Sequence, residues 1–277
     1  MKKVILPGGE AVPALGMGTW MMGEEPRRRA EEIATLQRGI ELGMRLIDTA
    51  EMYGEGESEK LVGEAIRGKR DQVFLVSKVY PHNAGSKTAQ VACERSLRRL
   101  GVDCLDLYLL HWRGSVPFDE TVDVFERLKA QGKIRHWGVS NLDPDDMEEL
   151  VESGNGHAVA ANQVLYNLTR RGIEWDLLPW CQARKIPVMA YSPIEQSRLL
   201  AHRGFSELAA RHGWRPAQLA LAWLLRQESL IAIPKSSTRQ HLEENFSALQ
   251  CVPDGEVLAA LDRLFPPPTH ATPLEML

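Results

Sequence analysis

Cysteine is scarce in this chain: four in 277 residues, at Cys93, Cys104, Cys181 and Cys251, with no C-x-x-C pair. Thiols so far apart build neither a disulfide framework nor a thiolate metal site, so a reducing cytoplasm is the expected compartment. Long apolar runs are missing too. No stretch approaches the roughly 20 residues that a bilayer span needs, and the start MKKVILPGGEAVP reaches a Pro-Gly-Gly turn before a signal-peptide core could form. Positive charge is not in excess: 33 Lys and Arg stand against 37 Asp and Glu, for a net charge of −4. Without a basic field, a polynucleotide is not an expected partner, and without a spanning run neither is a membrane. The pairs H-x-H and H-E-x-x-H do not occur, which argues against a metal-dependent barrel hydrolase, and no metal site is expected.

What the sequence has instead is the material for a core: 44% of its residues are hydrophobic and 25% charged, and the apolar ones fall in short runs rich in Val, Ile and Leu. Eight of these read as strands: 14–20, 45–49, 72–79, 106–112, 136–141, 160–166, 186–193 and 230–236. They are nearly continuous in apolarity rather than alternating, as parallel strands covered by helices should be. Between them, Ile33, Leu36 and Ile40 share one helical face, as do Leu61, Ala65 and Ile66, then Met147, Leu150 and Val151, then Leu242, Phe246 and Leu249. Asp143 before Pro144 reads as a helix cap with acids in the first turn, and Pro216 opens another helix.

Eight alternating units with no linker longer than a turn predict an α/β fold of the (β/α)8 TIM barrel type, a single domain over 1–277. A doubly wound sheet is the rival. It would carry a phosphate loop after its first strand, and GMGTWMMG has the wrong spacing for G-x-G-x-x-G. Two short strands flanking Pro7-Gly8-Gly9 predict an N-terminal β-hairpin capping the bottom of the barrel.

In such a barrel, chemistry sits where the strands end. The expected ends deliver Asp48, Ser77-Lys78, His111, Ser140-Asn141, Asn162-Gln163, Tyr191-Ser192 and Lys235-Ser236, with Tyr53 just beyond the second strand. Each has an ordinary structural explanation when taken alone: a strand-end carboxylate caps a helix, a loop tyrosine packs, a histidine beside a tryptophan is core. Lys78 is harder to dismiss, because a lysine closing VFLVSK is drawn inward and needs an anion, for which Asp48 is the candidate. A tyrosine moves protons at neutral pH only beside a cation that favours its phenolate, and the Lys78–Asp48 pair supplies one. His111 would then hold a carbonyl oxygen. No serine or cysteine stands out as a nucleophile, which leaves a hydride as the economical one.

At this point the sequence resembles the aldo-keto reductase family, over nearly its whole length. GMGTW, GIELGMRLIDTAEMYGEGESEKLVGEAI, FLVSKV, DLYLLHW, GKIRHWGVSN, NQVLYN, VMAYSP and IPKSS…EEN follow the order of that family's signature stretches. The likeness is greatest to short-loop bacterial members that reduce methylglyoxal and similar aldehydes. It implies Asp48, Tyr53, Lys78 and His111 as the catalytic tetrad, with Tyr53 the general acid. It implies a nicotinamide cofactor, NADPH preferred and NADH possible. Ser140, Asn141 and Gln163 would hold its carboxamide, Tyr191 would stack on its ring, and Thr19, Trp20 and Ser192 would lie close. Lys235 and Ser236 would meet the 2′-phosphate; Glu244 and Asn245 would address the adenine. His241 stands where many relatives carry an arginine, so a bidentate phosphate fork is missing, although Arg239 is near in sequence.

Trp20, Tyr80 and Trp112 are the implied walls of the substrate pocket. The segments after His111 and Tyr191 and the tail PPPTHATPLEML are short, which predicts an open site for small aldehydes and α-dicarbonyls, worked by a monomer. The alternative within the same fold is a non-catalytic nicotinamide-binding module; the complete tetrad argues for turnover.

Overall fold

The computed structural model describes residues 2–277. The hairpin comes first, β1 (Lys3–Ile5) and β2 (Ala11–Pro13) pairing antiparallel. Its turn is closed by the Gly9 N–H on the Leu6 carbonyl at 2.8 Å, with Gly9 at φ 86°, a conformation that costs glycine little. Glu10 then reaches Arg135 and His136, at 2.9 and 2.8 Å. These two residues start a barrel strand, so the hairpin lies under the barrel's N-terminal end, as expected.

The barrel strands are β3 (Met17–Gly18), β4 (Leu46–Asp48), β5 (Phe74–Val79), β6 (Leu105–Leu110), β7 (Ile134–Ser140), β8 (Asn162–Leu165), β9 (Val188–Tyr191) and β10 (Leu230–Ala232). Each pairs in parallel with the next. Parallel bridges Leu15–Ala232 and Gly18–Lys235 join the first strand to the last and close the ring. The approach is close on both sides of β3: a Cβ at Gly18 would sit 3.0 Å from the Ile233 carbonyl oxygen across the closure, and one at Gly16 2.7 Å from a Leu46 methyl carbon of β4. The glycines of GMGTW therefore serve strand packing and not a phosphate loop.

Helices α1 (Arg29–Leu42), α2 (Glu57–Ala65), α3 (Thr88–Leu100), α4 (Phe118–Ala130), α5 (Pro144–Glu152) and α6 (Leu177–Ala183) alternate with strands β3 to β9. Two helices, α7 (Arg203–Arg211) and α8 (Pro216–Leu225), separate β9 from β10, and α9 (Arg239–Ser247) and α10 (Gly255–Leu264) follow. As the sequence predicts, Asp143 caps α5, its carboxylate accepting the Asp146 N–H at 2.9 Å, and Pro144 is the first helical residue. One continuous apolar core runs from Val4 to Phe265. Strands β5 and β6 are buried at every position.

Every strand but β7, which begins two residues earlier than its run, is shorter than the sequence predicts, chiefly at the C-terminal end. Pro193 and Pro234 have no N–H for a ladder, and beyond Gly18, Leu110 and Tyr191 the backbone leaves the sheet. Trp20, Trp112 and Ser192 thereby belong to the mouth.

Candidate active site

Asp48 is the last residue of β4 and Lys78 the fifth of β5. Both are buried, Lys78 at 0% exposure. The ammonium donates to Asp48 Oδ2 at 2.7 Å, to the Thr49 carbonyl at 2.9 Å and to the Tyr53 hydroxyl at 3.1 Å, so all three of its N–H bonds are used. Asp48 Oδ1 is occupied from the other side by the Gln163 amide, at 2.8 Å. Burial pulls the Lys78 ammonium down, but Asp48 and Tyr53 outweigh it and hold the lysine above its ordinary value. For Tyr53 the balance differs from the expectation. Lys78 does favour the phenolate, yet burial, reinforced by Asp48, is larger, and the phenol is held above its usual value of 10. The protein thus keeps Tyr53 protonated at neutral pH, the state an acid must start from.

The turn that carries Tyr53 is sharp. Gly54, Glu55 and Gly56 take φ of 54°, 53° and 95° in succession before α2 begins. The two glycines occupy that region at little cost; Glu55 does not.

His111 follows β6, with its ring centroid 6.0 Å from that of Tyr53 and edge-on to it. It is 8% exposed, and Nδ1 has no hydrogen-bond partner. Placing the proton on Nε2 leaves only an acceptor unpaired, so the Nε2–H tautomer is assigned on that cost. Burial, with the Lys78 charge adding to it, lowers the ring pKa to about 2. His111 is therefore a neutral donor. We predict that its ring carbon resonances do not titrate between about pH 5 and 9, where a free histidine changes charge; a midpoint near 6.5 would refute this. The sign for stability follows. The unfolded chain takes up this proton below about 6.5 and the folded one does not, so the His111 contribution to stability falls as pH drops from there toward about 2.

Aromatic side chains stand at the mouth. Trp112 tilts against His111 at 4.8 Å between centroids, and Tyr80 meets Trp112 edge-on at 5.9 Å. Trp20, across the mouth after β3, is 42% exposed.

The candidate cofactor residues separate into three groups. Ser140, Asn141 and Tyr191 lie together: Tyr191 donates to Asn141 Oδ1 at 3.0 Å, and Asn141 Nδ2 lies 3.2 Å from Ser140 Oγ and from the His111 carbonyl. Asn141 is left-handed, φ 57°, which its side chain tolerates. Lys235 and Ser236, just ahead of α9, form the second group with Asn245 from near that helix's C-terminal end. Asn245 donates to Ser236 Oγ at 2.8 Å, and burial lowers the Lys235 ammonium. Glu244 is half-buried and accepts from Gln240 at 3.3 Å, while His241 is exposed in the first turn. Thr19 stands apart. Its side chain is fully buried, donating to the Asp48 carbonyl and accepting from Ser58, both at 2.9 Å. The hydroxyl braces the aspartate strand.

The donor set at α9 fits a phosphate-bearing dinucleotide. Ser237 Oγ is buried without a partner, Thr238 caps only the His241 N–H, and the remaining N–H groups of the first turn join Lys235 in favouring an anion. Ser237 and Thr238 were not singled out from the sequence, although an S-S-T run ahead of a helical pattern is a recognisable anion signal.

Two further features have no counterpart in the sequence reading. The C-terminal tail crosses beside the mouth: the Leu277 N–H donates to the Tyr191 hydroxyl at 3.3 Å, and Glu275 pairs with Arg170. Arg170 also holds Glu195 at 3.0 Å, in the loop after Tyr191, where Glu195, Gln196 and Ser197 have φ of 50°, 51° and 72°. The mouth is therefore less open on this side than a short tail implies, because ion pairs pull tail and loop together.

Fold and site together define a barrel oxidoreductase. The chain belongs to the Aldo/keto reductase family, whose sequence profile matches residues 14–265. It is 52% identical over 281 residues to the methylglyoxal reductase YeaE of Escherichia coli (strain K12), spanning 100% of this chain and 99% of that one. A crystal structure of an aldo/keto reductase from Klebsiella pneumoniae in complex with NADP and acetate superposes with a TM-score of 0.97 at 52% identity, over 100% and 99% of the two chains. An aldo-keto reductase structure from the same organism in complex with NADPH matches equally well, at TM-score 0.97. No helix among the described residues is long and apolar enough to cross a membrane.

Proposed function

We propose that this protein reduces small aldehydes and α-dicarbonyls such as methylglyoxal to alcohols, using NADPH, as a single cytoplasmic barrel domain that works as a monomer without nucleic acid. The observation that carries the reading is the buried Lys78, bonded at once to Asp48 and to the Tyr53 hydroxyl, beside a histidine held neutral. The substrate class rests on full-length likeness to a methylglyoxal reductase, and the cofactor on relatives crystallised with NADP and NADPH.

NADPH, when bound, supplies a hydride to the carbonyl carbon. The chain supplies the rest. His111 Nε2–H and the Tyr53 hydroxyl both donate to the carbonyl oxygen, polarising it and holding the carbon open to attack. As negative charge grows on that oxygen, Tyr53 gives up its proton, and Lys78, anchored by Asp48, steadies the phenolate that remains. Ser140, Asn141 and Gln163 offer donors and an acceptor suited to a primary amide, and Tyr191 offers a ring face. Lys235, Ser236 and the start of α9 suit the 2′-phosphate, with Glu244 and Asn245 near the adenine. Tyr80, Trp112 and Trp20 wall the substrate and limit water.

The test follows nicotinamide absorbance with methylglyoxal and with an aromatic aldehyde, supplying NADPH and NADH separately. Oxidation of NADPH faster than NADH is expected; no oxidation with either carbonyl would return the protein to a binding role. Since His241 is exposed in the first turn of α9, where the 2′-phosphate is proposed to bind, His241→Arg should tighten NADPH binding by about two- to fivefold, the ~0.5–1 kcal/mol of an exposed ion pair, and leave NADH binding unchanged. Equal effects on both cofactors would mean that position 241 does not face the phosphate.

A further inference from the structure

Glu51 is an unexpected carboxylate: it sits between Ala50 and Met52 in the turn that carries Tyr53, yet it is only 6% exposed. Past Asp48 the chain still follows β5. The Thr49 N–H donates to the Val76 carbonyl at 2.9 Å, and the Glu51 N–H to the Lys78 carbonyl at 3.3 Å. The Glu51 side chain then extends this pairing where the backbone cannot. One oxygen accepts the Tyr80 N–H at 2.8 Å and the Asn83 amide at 3.1 Å. The other faces Arg95 and Arg99 of α3, at 3.5 and 4.0 Å. Arg99 in turn holds the fully buried Glu59 at 2.5 Å, and Glu59 accepts from Ser77 at 2.6 Å. Lys78 is thus gripped on both sides, Ser77 through Glu59 and Tyr80 through Glu51. The Tyr53 turn has left-handed residues at 54, 55 and 56, and Glu51 is the side chain ahead of them that ties it to β5.

We infer that Glu51 is a positioning residue for the reaction: its carboxylate locks the Tyr53 turn onto the end of β5 and so sets the Tyr53 hydroxyl on the Lys78 ammonium. The inference rests on the acid role assigned to Tyr53. The operative bond is the acceptor to the Tyr80 N–H. The arginines, farther away, are auxiliary.

Two substitutions separate acceptor from charge. Glu51→Asp keeps the charge but retreats by about 1.5 Å, one carbon–carbon bond, out of reach of the Tyr80 N–H. Glu51→Gln keeps the reach and an acceptor but loses the charge. The expected result is a kcat about tenfold lower in Glu51→Asp, with KM for the carbonyl within about twofold, and most of kcat restored in Glu51→Gln. Asp106→Asn serves as the stability control. Asp106 is a buried carboxylate at the opposite end of the barrel, bonded to the Leu75 N–H, Arg70 and Arg135, and its loss should lower the melting temperature without lowering kcat.

Glu51→Asp is also made in the Tyr53→Phe background, where it should cause no further loss because the group it positions is gone. Three results would overturn the inference. One is a kcat unchanged in Glu51→Asp while stability falls as in the control. Another is Glu51→Gln as impaired as Glu51→Asp. The third is an additional tenfold loss in the Tyr53→Phe background. Failure of the underlying reading shows separately, as persisting turnover in Tyr53→Phe alone.

Discussion

Tyr53→Phe should lower kcat for carbonyl reduction by about 10²–10⁴-fold, the range that a positioned general acid contributes, and leave folding and NADPH binding intact. The substitution removes one oxygen. That oxygen accepts from Lys78 at 3.1 Å and belongs to a residue only half-buried, so no cavity opens in the core. A proton source close to the carbonyl is lost, while Lys78 keeps its bonds to Asp48 and Thr49. The native phenol is held above 10 by burial, so in the cofactor-free protein the phenolate absorbance that distinguishes native from Tyr53→Phe should emerge only in strong alkali. For stability the sign is that of a raised acid. The Tyr53 contribution is unchanged below 10 and declines as pH rises beyond it, outside the working range. Turnover in Tyr53→Phe within tenfold of native, or a phenolate appearing at pH 7, would remove tyrosine from the acid role.

Lys78→Met should have the second large effect, striking stability and activity together. Removing the ammonium strands a carboxylate that is 2% exposed, leaving Asp48 with the Gln163 amide as its remaining side-chain partner. Breaking one partner from a buried ion pair costs about 3–5 kcal/mol, measurable by urea denaturation. Adding Asp48→Asn removes the stranded charge, so the double variant should recover most of that stability while staying as inactive as the single one. Activity recovered along with stability would mean that the pair only holds the barrel together. Stability unchanged in Lys78→Met would mean that water reaches Asp48 after all.

Asp48, Tyr53, Lys78 and His111 could be read in the sequence because strand ends are legible: each strand is an apolar run, and a polar residue that closes one is a visible interruption. The same logic placed Asn141 and Tyr191; Gln163 instead is the second residue of β8, and it comes level with Ser140 at the end of β7 through the stagger of the strands. That logic did not show which way the Thr19 hydroxyl turns, because a hydroxyl at a strand end looks alike whether it faces the mouth or the next strand. It also missed Glu51, Glu59 and Arg99, since burial of an acid inside a turn is invisible when charged residues are everywhere nearby. The overlong strands had a related cause. Apolar periodicity measures burial, and several residues just past the ladder, Thr19, Thr49 and Ile233 among them, are as buried as the ladder itself.

The sequence by itself determined the barrel, the order of its strands and the residue types that reach its mouth, because hydrophobic periodicity and strand-end polarity are local properties of the chain. Only the tertiary structure decided the electrical state of those residues. Whether Tyr53 holds its proton depends on burial against one ammonium, and whether His111 is charged depends on burial with no partner at Nδ1. The reach of the tail to Tyr191 and the grip of Glu51 on β5 are likewise contacts across distant segments. Desolvation and close approach are sums over neighbours from many elements, and no single stretch of sequence contains them.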